Sequence, residues 1–528
     1  MLFNSYEFIF VFFPVVLGVF FVIGRRWPEL AISWLVLSSL FFYGWWQPVY
    51  LILILFSMVF NFGVGKRIST ARKSGAPAAS RAWTFFGVTV NLCLLGYFKY
   101  AGFLVTNINF LAGTSIDIGD IFLPLAISFF TFQQIAYLID TCKGLTEEYQ
   151  FSHYSLFVTF FPQLIAGPIV HHGEMLPQFA RPETFSPRLG NLTIGGSIFA
   201  IGLFKKTVLA DGVAAYATPI FDAAADGQVM TLFQAWGGVL AYTMQLYFDF
   251  SGYSDMAIGG ARLFGIRLPL NFHSPYKAAN ITEFWRRWHM TLSRFLRDYV
   301  YIPLGGNRAG RLRRYQNLLA TMLIGGLWHG AGWNFVIWGG LHGLYLVVHQ
   351  GWQRIRADFL PGGLLPARLG KFLAWLITFT AVVVGWVFFR ATDLDSAIAL
   401  LRGMAGLNGV SLPNGIAVRL GPVWDLLASL GFRTYLTGGA DFIFTWLWIG
   451  CLLPIALIWP NTQQIMRNFE PALNEHVCTG QDEVRLAGKR MDSIQWRPAL
   501  SWGILTGVIA GLGVLALTRI SEFLYFQF

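Results

Sequence analysis

The sequence predicts an all-α polytopic membrane protein, and three observations carry that expectation. The 528 residues are 55% hydrophobic and 17% aromatic but only 12% charged, where soluble domains carry about 25% charged residues. Apolar segments of spanning length recur along the whole chain, so residues 1–528 read as one integral domain with a mean hydropathy of +0.54. The Lys and Arg behind the net charge of +11 gather in loops between those segments, as they do on the cytoplasmic side of membrane proteins. Membrane lipids, and not nucleic acid, are the expected counterpart of that charge. Cys93, Cys142, Cys451 and Cys478 are scattered and form no CxxC pair or disulfide framework.

Glu7–Ile23 is the first span. Arg25 and Arg26 follow it and nothing basic precedes it, which puts the N-terminus outside and Arg25 in the cytoplasm. It has no basic leader or small-residue cleavage site, so it is expected to be kept. Leu30–Trp45 and Val49–Val64 are short spans joined by a Gly-Trp-Trp-Gln-Pro turn, and Lys66, Arg67, Arg72, Lys73 and Arg81 mark a cytoplasmic loop. Phe85–Val105 crosses outward with Lys99 near its end, where a long side chain can snorkel to the interface. Residues 106–120 hold two aspartates and no Lys or Arg, which makes them external, and Ile121–Ile139 returns. His153–Val170, interrupted by Pro162, Gly167 and Pro168, reads as re-entrant or interfacial. Asn191–Ala210 goes out despite Lys205 and Lys206; residues 211–231 form an external acidic loop, and Leu232–Phe250 comes back. Residues 261–315 are the most basic stretch and are expected in the cytoplasm, before a broken membrane segment at 318–350 with both ends cytoplasmic. Phe372–Phe389, Phe442–Ile458 and Trp502–Leu517 complete the spans, with 461–499 a polar cytoplasmic loop. The sum is roughly ten crossings plus two broken segments, with both termini external.

Two stretches carry candidate chemistry. From Leu318 to Trp328 a helix rises only ~16 Å, about half of the ~30 Å hydrocarbon core. His329 therefore stands inside the membrane at a break marked by Gly325, Gly326, Gly330 and Gly332, with Trp328 and Trp333 placed to wall off water. Irregular backbone at that depth is tolerated only inside protein or beside a cavity, and an intramembrane ionisable residue points to function. A buried histidine bonded to a nearby carbonyl is the competing reading. The second stretch, Ile281–Tyr301, sorts at helical spacing into an apolar face and an arginine face. Trp285, Trp288, Leu292, Phe295, Leu296 and Tyr299 form the first; Arg286, Arg287, Arg294 and Arg297 form the second. Such a helix lies in the membrane interface, with His289 at the edge of its apolar side. Its arginines, joined by Arg308, Arg311, Arg313 and Arg314, suit either lipid headgroups or the phosphates of a nucleotide-bearing donor.

Other candidates are weaker. Asp249 and Asp255, beside Tyr247 and Tyr253, need partners at an apolar span's end; pairing with a nearby Arg and catalysis both stay open. His171 and His172 read as a solvated pair. His342 and His349 share a helical face but have no companions at metal-ligand spacing, so no metal site is expected. GxSxG, phosphate-loop and dinucleotide-binding patterns are absent from the sequence.

NFHSPYKAANITEFWRRWHMTLSRFLRDYVYIPLGGNR (271–308), followed by GGLWHGAGWNFVIWGGLHG (325–343), resembles the signature of membrane-bound O-acyltransferases. YFDFSGYSDMAIG, LPLAISFFTFQQIAYLID, FPQLIAGPIV and the C-terminal FLYFQF are similar to the bacterial alginate O-acetylase branch, and the resemblance covers nearly the whole chain. Ser128–Asp140 departs from the alginate proteins proper and is similar to relatives in other exopolysaccharide systems. The resemblance implies a ring of helices around a thin centre, where a cytoplasmic funnel meets an external opening. It implies His329, in Trp-His-Gly, as the catalytic residue and His289, in Trp-His, as its companion. Acetyl-CoA is the implied donor, with no bound cofactor. A periplasmic lipase-like acetyltransferase or acetyl carrier is the implied acceptor, beside exopolysaccharide synthesis machinery at the bacterial inner membrane. In this scheme a neutral His329 takes the acceptor hydroxyl's proton, while His289 polarises the thioester or orients the donor. A D-alanyl or peptidoglycan O-acyltransferase is the alternative within acyl transfer. A transporter is the alternative outside it, since broken helices and buried charges suit both, although the sequence has no repeated halves.

Overall fold

A chain that must satisfy its backbone without water does so most simply as helix. The computed structural model, which describes residues 1–146, 150–359, 365–436, 438–473 and 494–518, is built that way. In chain order the main elements are α1 (Glu7–Gly24), α2 (Pro28–Gly44), α3 (Tyr50–Lys73) and α4 (Pro77–Ala112). Next come α5 (Ile127–Lys143), α6 (Leu189–Ala225) and α7 (Leu232–Leu263). The basic segment holds α8 (Ile281–Arg287) and α9 (Met290–Leu296), and the broken segment α10 (Gly310–His329) and α11 (Trp333–Phe359). The chain continues through α12 (Ala367–Arg390), α13 (Gly439–Leu457) and α14 (Leu500–Thr518). Among the described residues, α1, α3, α4, α6, α12, α13 and α14 are the seven helices long and apolar enough to cross a membrane, and α2 is a shorter apolar helix. A short parallel pair, β1 (Ser411–Pro413) with β2 (Arg433–Tyr435), lies between α12 and α13.

The expected spans at 7–23, 30–45, 49–64, 85–105, 372–389, 442–458 and 502–517 coincide with α1–α4 and α12–α14. Others are corrected. The span expected from Ile121 becomes helical only at Ile127, because Ala126 sits at φ 57 in the left-handed region. The acidic loop expected at 211–231 is helical to Ala225, since Asp211 turns inward instead of facing water. His153–Val170 is broken as expected, into helices Phe151–Thr159 and Phe161–Leu164, but Phe157, Phe160 and Phe161 are fully buried and not interfacial. Residues 261–263 belong to α7, and Leu268–Phe272 are buried, so the basic stretch folds into the protein. Part of the 461–499 loop also packs inward: Leu473 N donates to Leu268 O at 2.9 Å, and Thr462 and Gln463 are buried. Residues 474–493 and the motif at 523–528 lie outside the described residues.

α7 is buried along most of its length. It meets α6 through Gly195 and Gly202, where an added Cβ would strike the carbonyls of Gly259 and Gly252; small residues permit such close backbone approach. Apolar packing divides into two clusters, and α7 serves both: Ala235–Phe250 in one, Tyr253–Ala261 in the other. The basic segment is split the same way, with Phe284, Trp285 and Trp288 on one side and Leu292, Phe295 and Leu296 on the other. Trp328 belongs to one cluster and Trp338 to the other. His289 and His329 thus lie on the seam.

Candidate active site

α10 and α11 form an antiparallel hairpin. Gly326 faces Gly339 and the Phe335 carbonyl, and Gly343 faces Leu319 and Met322. Of the glycines expected at the break, Gly326 serves helix–helix approach. α10 begins at Gly310 and not Leu318, so Arg311, Arg313 and Arg314 occupy its first turns, and its 20 residues rise ~30 Å. His329 is its last residue and is 4% exposed. Its ring lies 4.9 Å from Trp328, 5.0 Å from Trp338 and 5.0 Å from Phe389, centroid to centroid. Trp333, expected as a second wall, is instead 55% exposed and donates to Asn107 Oδ1 at 2.9 Å.

The end of α10 is held from α4. The last carbonyls of a helix have no partner within it, and here two neighbouring side chains supply donors. Lys99 Nζ donates to Trp328 O at 2.5 Å and His329 O at 3.2 Å, and Tyr100 OH to Leu327 O at 2.6 Å. Lys99 also reaches Ser128 Oγ at 3.2 Å. Both residues sit on a π-helical turn, Gly96–Tyr100, a bulge frequent at functional sites. Lys99 does not snorkel. A cation where the helix dipole ends negative is favourable, and it fixes where His329 leaves the helix.

His289 reaches the same point by a break of its own. The single amphipathic helix expected over 281–301 stops at Arg287, and His289 takes φ 43, ψ 54 before α9 begins. That region costs a non-glycine residue on the order of 1–3 kcal/mol and is kept where the surroundings demand it. Here Met290 N donates to Asn271 O at 2.9 Å, while Asn271 Oδ1 accepts from Thr291 N at 3.3 Å and Thr291 Oγ1 at 3.0 Å. His289 is 1% exposed, edge-on to Phe250 at 4.8 Å, and its ring centroid is 6.3 Å from that of His329. The helical reading had turned it toward the bundle, and the reversal of the chain carries it there.

The remaining candidates fall elsewhere. Arg294 forms a bidentate pair with Glu174 at 2.6 and 3.0 Å, Arg287 pairs with Glu283 at 2.6 Å and Arg297 with Asp298 at 2.7 Å. These three arginines are held in ion pairs, and Arg286 is exposed. Asp249 and Asp255 pair with lysines, not arginines: Lys206 with Asp249 at 3.0 Å, Lys205 with Asp255 at 2.7 Å. His172 is buried beside Thr146 and not solvated. His342 Nδ1 accepts from Trp285 Nε1 at 3.3 Å, and His349 Nδ1 lies 3.0 Å from Thr282 Oγ1. Among the described residues no cluster of His, Cys, Asp or Glu could hold a metal. Lys99, Tyr100 and Asn271 were missed by the sequence reading. The one signal for the first two was a cation set between aromatics inside an apolar span.

Several buried polar atoms around the two histidines have no hydrogen-bond partner among the described residues: His329 Nδ1, His289 Nε2, Asn271 Nδ2, Trp328 Nε1 and Trp338 Nε1. Two imidazoles with open nitrogens in an aromatic enclosure suit proton transfer at a reacting hydroxyl. The model of the membrane-bound O-acyltransferase family matches residues 143–385. The chain is 48% identical over 439 residues to the peptidoglycan O-acetyltransferase of Helicobacter pylori, covering 78% of this chain and 81% of that protein. It is 43% identical over 411 residues to the "Probable alginate O-acetylase AlgI" of Pseudomonas aeruginosa, covering 76% and 75%. Similarity to the teichoic acid D-alanyltransferase of Streptococcus thermophilus is 30% over 281 residues, covering 50% and 68%.

Proposed function

The chain belongs to the membrane-bound O-acyltransferase family, and from that premise we propose that it moves acetyl groups from acetyl-CoA across the bacterial inner membrane for O-acetylation of alginate or a similar cell-surface glycan. The observation that carries this reading is the meeting of His289 and His329, 40 residues apart in sequence, in one buried seam. The donor enters on the cytoplasmic side, where the 261–315 segment lies, and both termini face the periplasm. The acceptor's hydroxyl oxygen forms the new bond to the acetyl carbon as its proton passes to His329. The carbon–sulfur bond breaks, and the departing thiolate recovers that proton from the imidazolium. The immediate acceptor is a periplasmic lipase-like acetyltransferase or acetyl carrier, which serves the polymer-synthesis machinery.

A second reading, peptidoglycan as the final acceptor, is favoured by the 48% identity to the Helicobacter protein. Acetyl content of exported polysaccharide and of purified peptidoglycan, measured in a deletion strain and its complement, separates the two. Loss in neither fraction would sink both. Purified protein in vesicles should transfer label from acetyl-CoA and not from a D-alanyl carrier protein; the reverse preference would move the donor to the D-alanyl class.

A further inference from the structure

Resting on that reading of His289 as one of the reacting pair, we propose that Asn271 is a positioning residue that fixes the tautomer of His289. It places the ring's proton on Nδ1 and leaves Nε2 as an open acceptor in the chamber.

The argument runs from one amide oxygen. Thr291 N can only donate, and it points at Asn271 Oδ1 from 3.3 Å. The oxygen of Asn271, and not its NH2, is therefore the atom turned to this side. His289 Nδ1 lies 3.1 Å from that same oxygen. A carbonyl oxygen has no proton to give, so Nδ1 must carry one. A neutral imidazole has a single N–H, which leaves a lone pair on Nε2. That nitrogen is buried with no partner among the described residues. The ring cannot swing to exchange its nitrogens freely, because Phe250 stands edge-on at 4.8 Å, Trp328 at 5.9 Å and His329 at 6.3 Å. The left-handed backbone at φ 43 aims the ring, and Asn271 holds that turn as well through Met290 N.

The consequence is specific. Neutral His289 cannot polarise a thioester carbonyl, because a carbonyl needs a donor and the ring's only N–H is already engaged. It orients substrate by accepting a hydrogen bond at Nε2 from an N–H or O–H group. Asn271 acts through His289 and need not touch substrate.

The test reads the tautomer directly. In protein labelled with nitrogen-15 histidine, the His289 signals are identified by their loss in His289→Gln. Wild-type protein should show a protonated Nδ1 and an unprotonated Nε2. Asn271→Leu, similar in size but without an acceptor, should shift the proton to Nε2 or give a mixture. Acetyl transfer should fall about 10- to 100-fold, by analogy with the loss of an outer partner from a metal-binding histidine. Asn271→Asp keeps an oxygen in place and should keep the Nδ1 proton. Thr291→Val disturbs the same turn while leaving Asn271 intact, and it too should keep the wild-type tautomer. A wild-type proton on Nε2, an unchanged tautomer in Asn271→Leu, or the same shift in Thr291→Val would each overturn the assignment. Because the signal needs no substrate, a wrong donor or acceptor for the enzyme would leave this result standing.

Discussion

α7 borders two buried polar clusters, and they differ in how charge is used. In the first, Lys206 Nζ lies 2.9 Å from Asp211 and 3.0 Å from Asp249. Lys205 lies 2.7 Å from Asp255, which also accepts from Thr462 at 2.6 Å and Gln463 at 3.0 Å. The second cluster, around His289 and His329, contains no ion pair among the described residues and leaves five polar atoms there without a partner. Each unmet buried group costs about 1–3 kcal/mol, so folding alone would have selected against the second arrangement. The difference sets up a test: paired charges in the first cluster should hold helices together, and the open imidazole nitrogens of the second should serve a reacting group.

Substitution in the two clusters should separate rate from stability. His329→Gln keeps a hydrogen-bonding group but cannot accept a proton at neutral pH. Loss of a general base typically slows a reaction about 10²–10⁴-fold, roughly 3–5 kcal/mol of barrier. Acetyl transfer per molecule should fall by that factor while membrane abundance stays level; substantial transfer by a well-expressed variant would end the general-base role. Lys206→Met should do the reverse. Removing one partner of a buried ion pair costs about 3–5 kcal/mol, so abundance and thermal midpoint should collapse. Adding Asp211→Asn and Asp249→Asn removes the stranded charges and should recover much of the loss. If Lys206→Met accumulates normally but is inactive, the first cluster is catalytic and the contrast fails.

The break at His329 was legible in the sequence through its glycines, whereas His289 stood out only through the resemblance of its Trp-His motif. Their surroundings were not legible. Lys99 and Trp328 are 229 residues apart in sequence, and no local periodicity reports such a pair. Helical spacing also predicted one helix through His289, because a residue's type does not reveal that tertiary bonds from Asn271 and Thr291 will hold it at positive φ. The acidic loop expected after Ala210 failed for a related reason: local charge counts place Asp211 in water, whereas Lys206, one helical turn earlier, takes it inward. Long apolar helices were read well wherever hydrophobicity alone decided the outcome, as in α1, α3 and α12.

Lys99 joins the two kinds of cluster, since it spends two of its hydrogen bonds on the end of the helix that carries His329. Lys99→Met keeps the stem but leaves the Trp328 and His329 carbonyls without their donor. At about 1–3 kcal/mol for an unmet buried group, transfer should drop on the order of 10- to 100-fold. Tyr100→Phe, which frees only Leu327 O, should cost about 1 kcal/mol, near five-fold. Equal activity in Lys99→Met and wild type would show that α10 ends where it does without the cap.

The smallest effect belongs at the surface, where a polar group is satisfied and water competes. Asp393 precedes the helix Leu394–Met404, accepts from Ser396 N at 2.8 Å, and takes part in a reciprocal cap with the Ser396 side chain. That backbone N–H, ahead of the cost of burial, holds the carboxyl below its ordinary value. Removing such a cap costs about 0.5–2 kcal/mol, so Asp393→Ala should lower the thermal midpoint slightly and leave acetyl transfer per molecule unchanged. The pH dependence has a definite sign. A carboxyl whose folded pKa is depressed stabilises the fold fully above its unfolded value, about 3.9, and loses that contribution as pH falls through the folded value. The margin of wild type over Asp393→Ala should therefore be complete at neutral pH and shrink only in acid below about pH 4. Asp393→Asn caps as well without ionising, so its margin should persist unchanged in acid. A margin that shrinks equally for Asp and Asn would assign the loss to another group. An activity loss in Asp393→Ala beyond its loss of abundance would tie this distant cap to the chamber, against the separation of structural and catalytic polar groups drawn above.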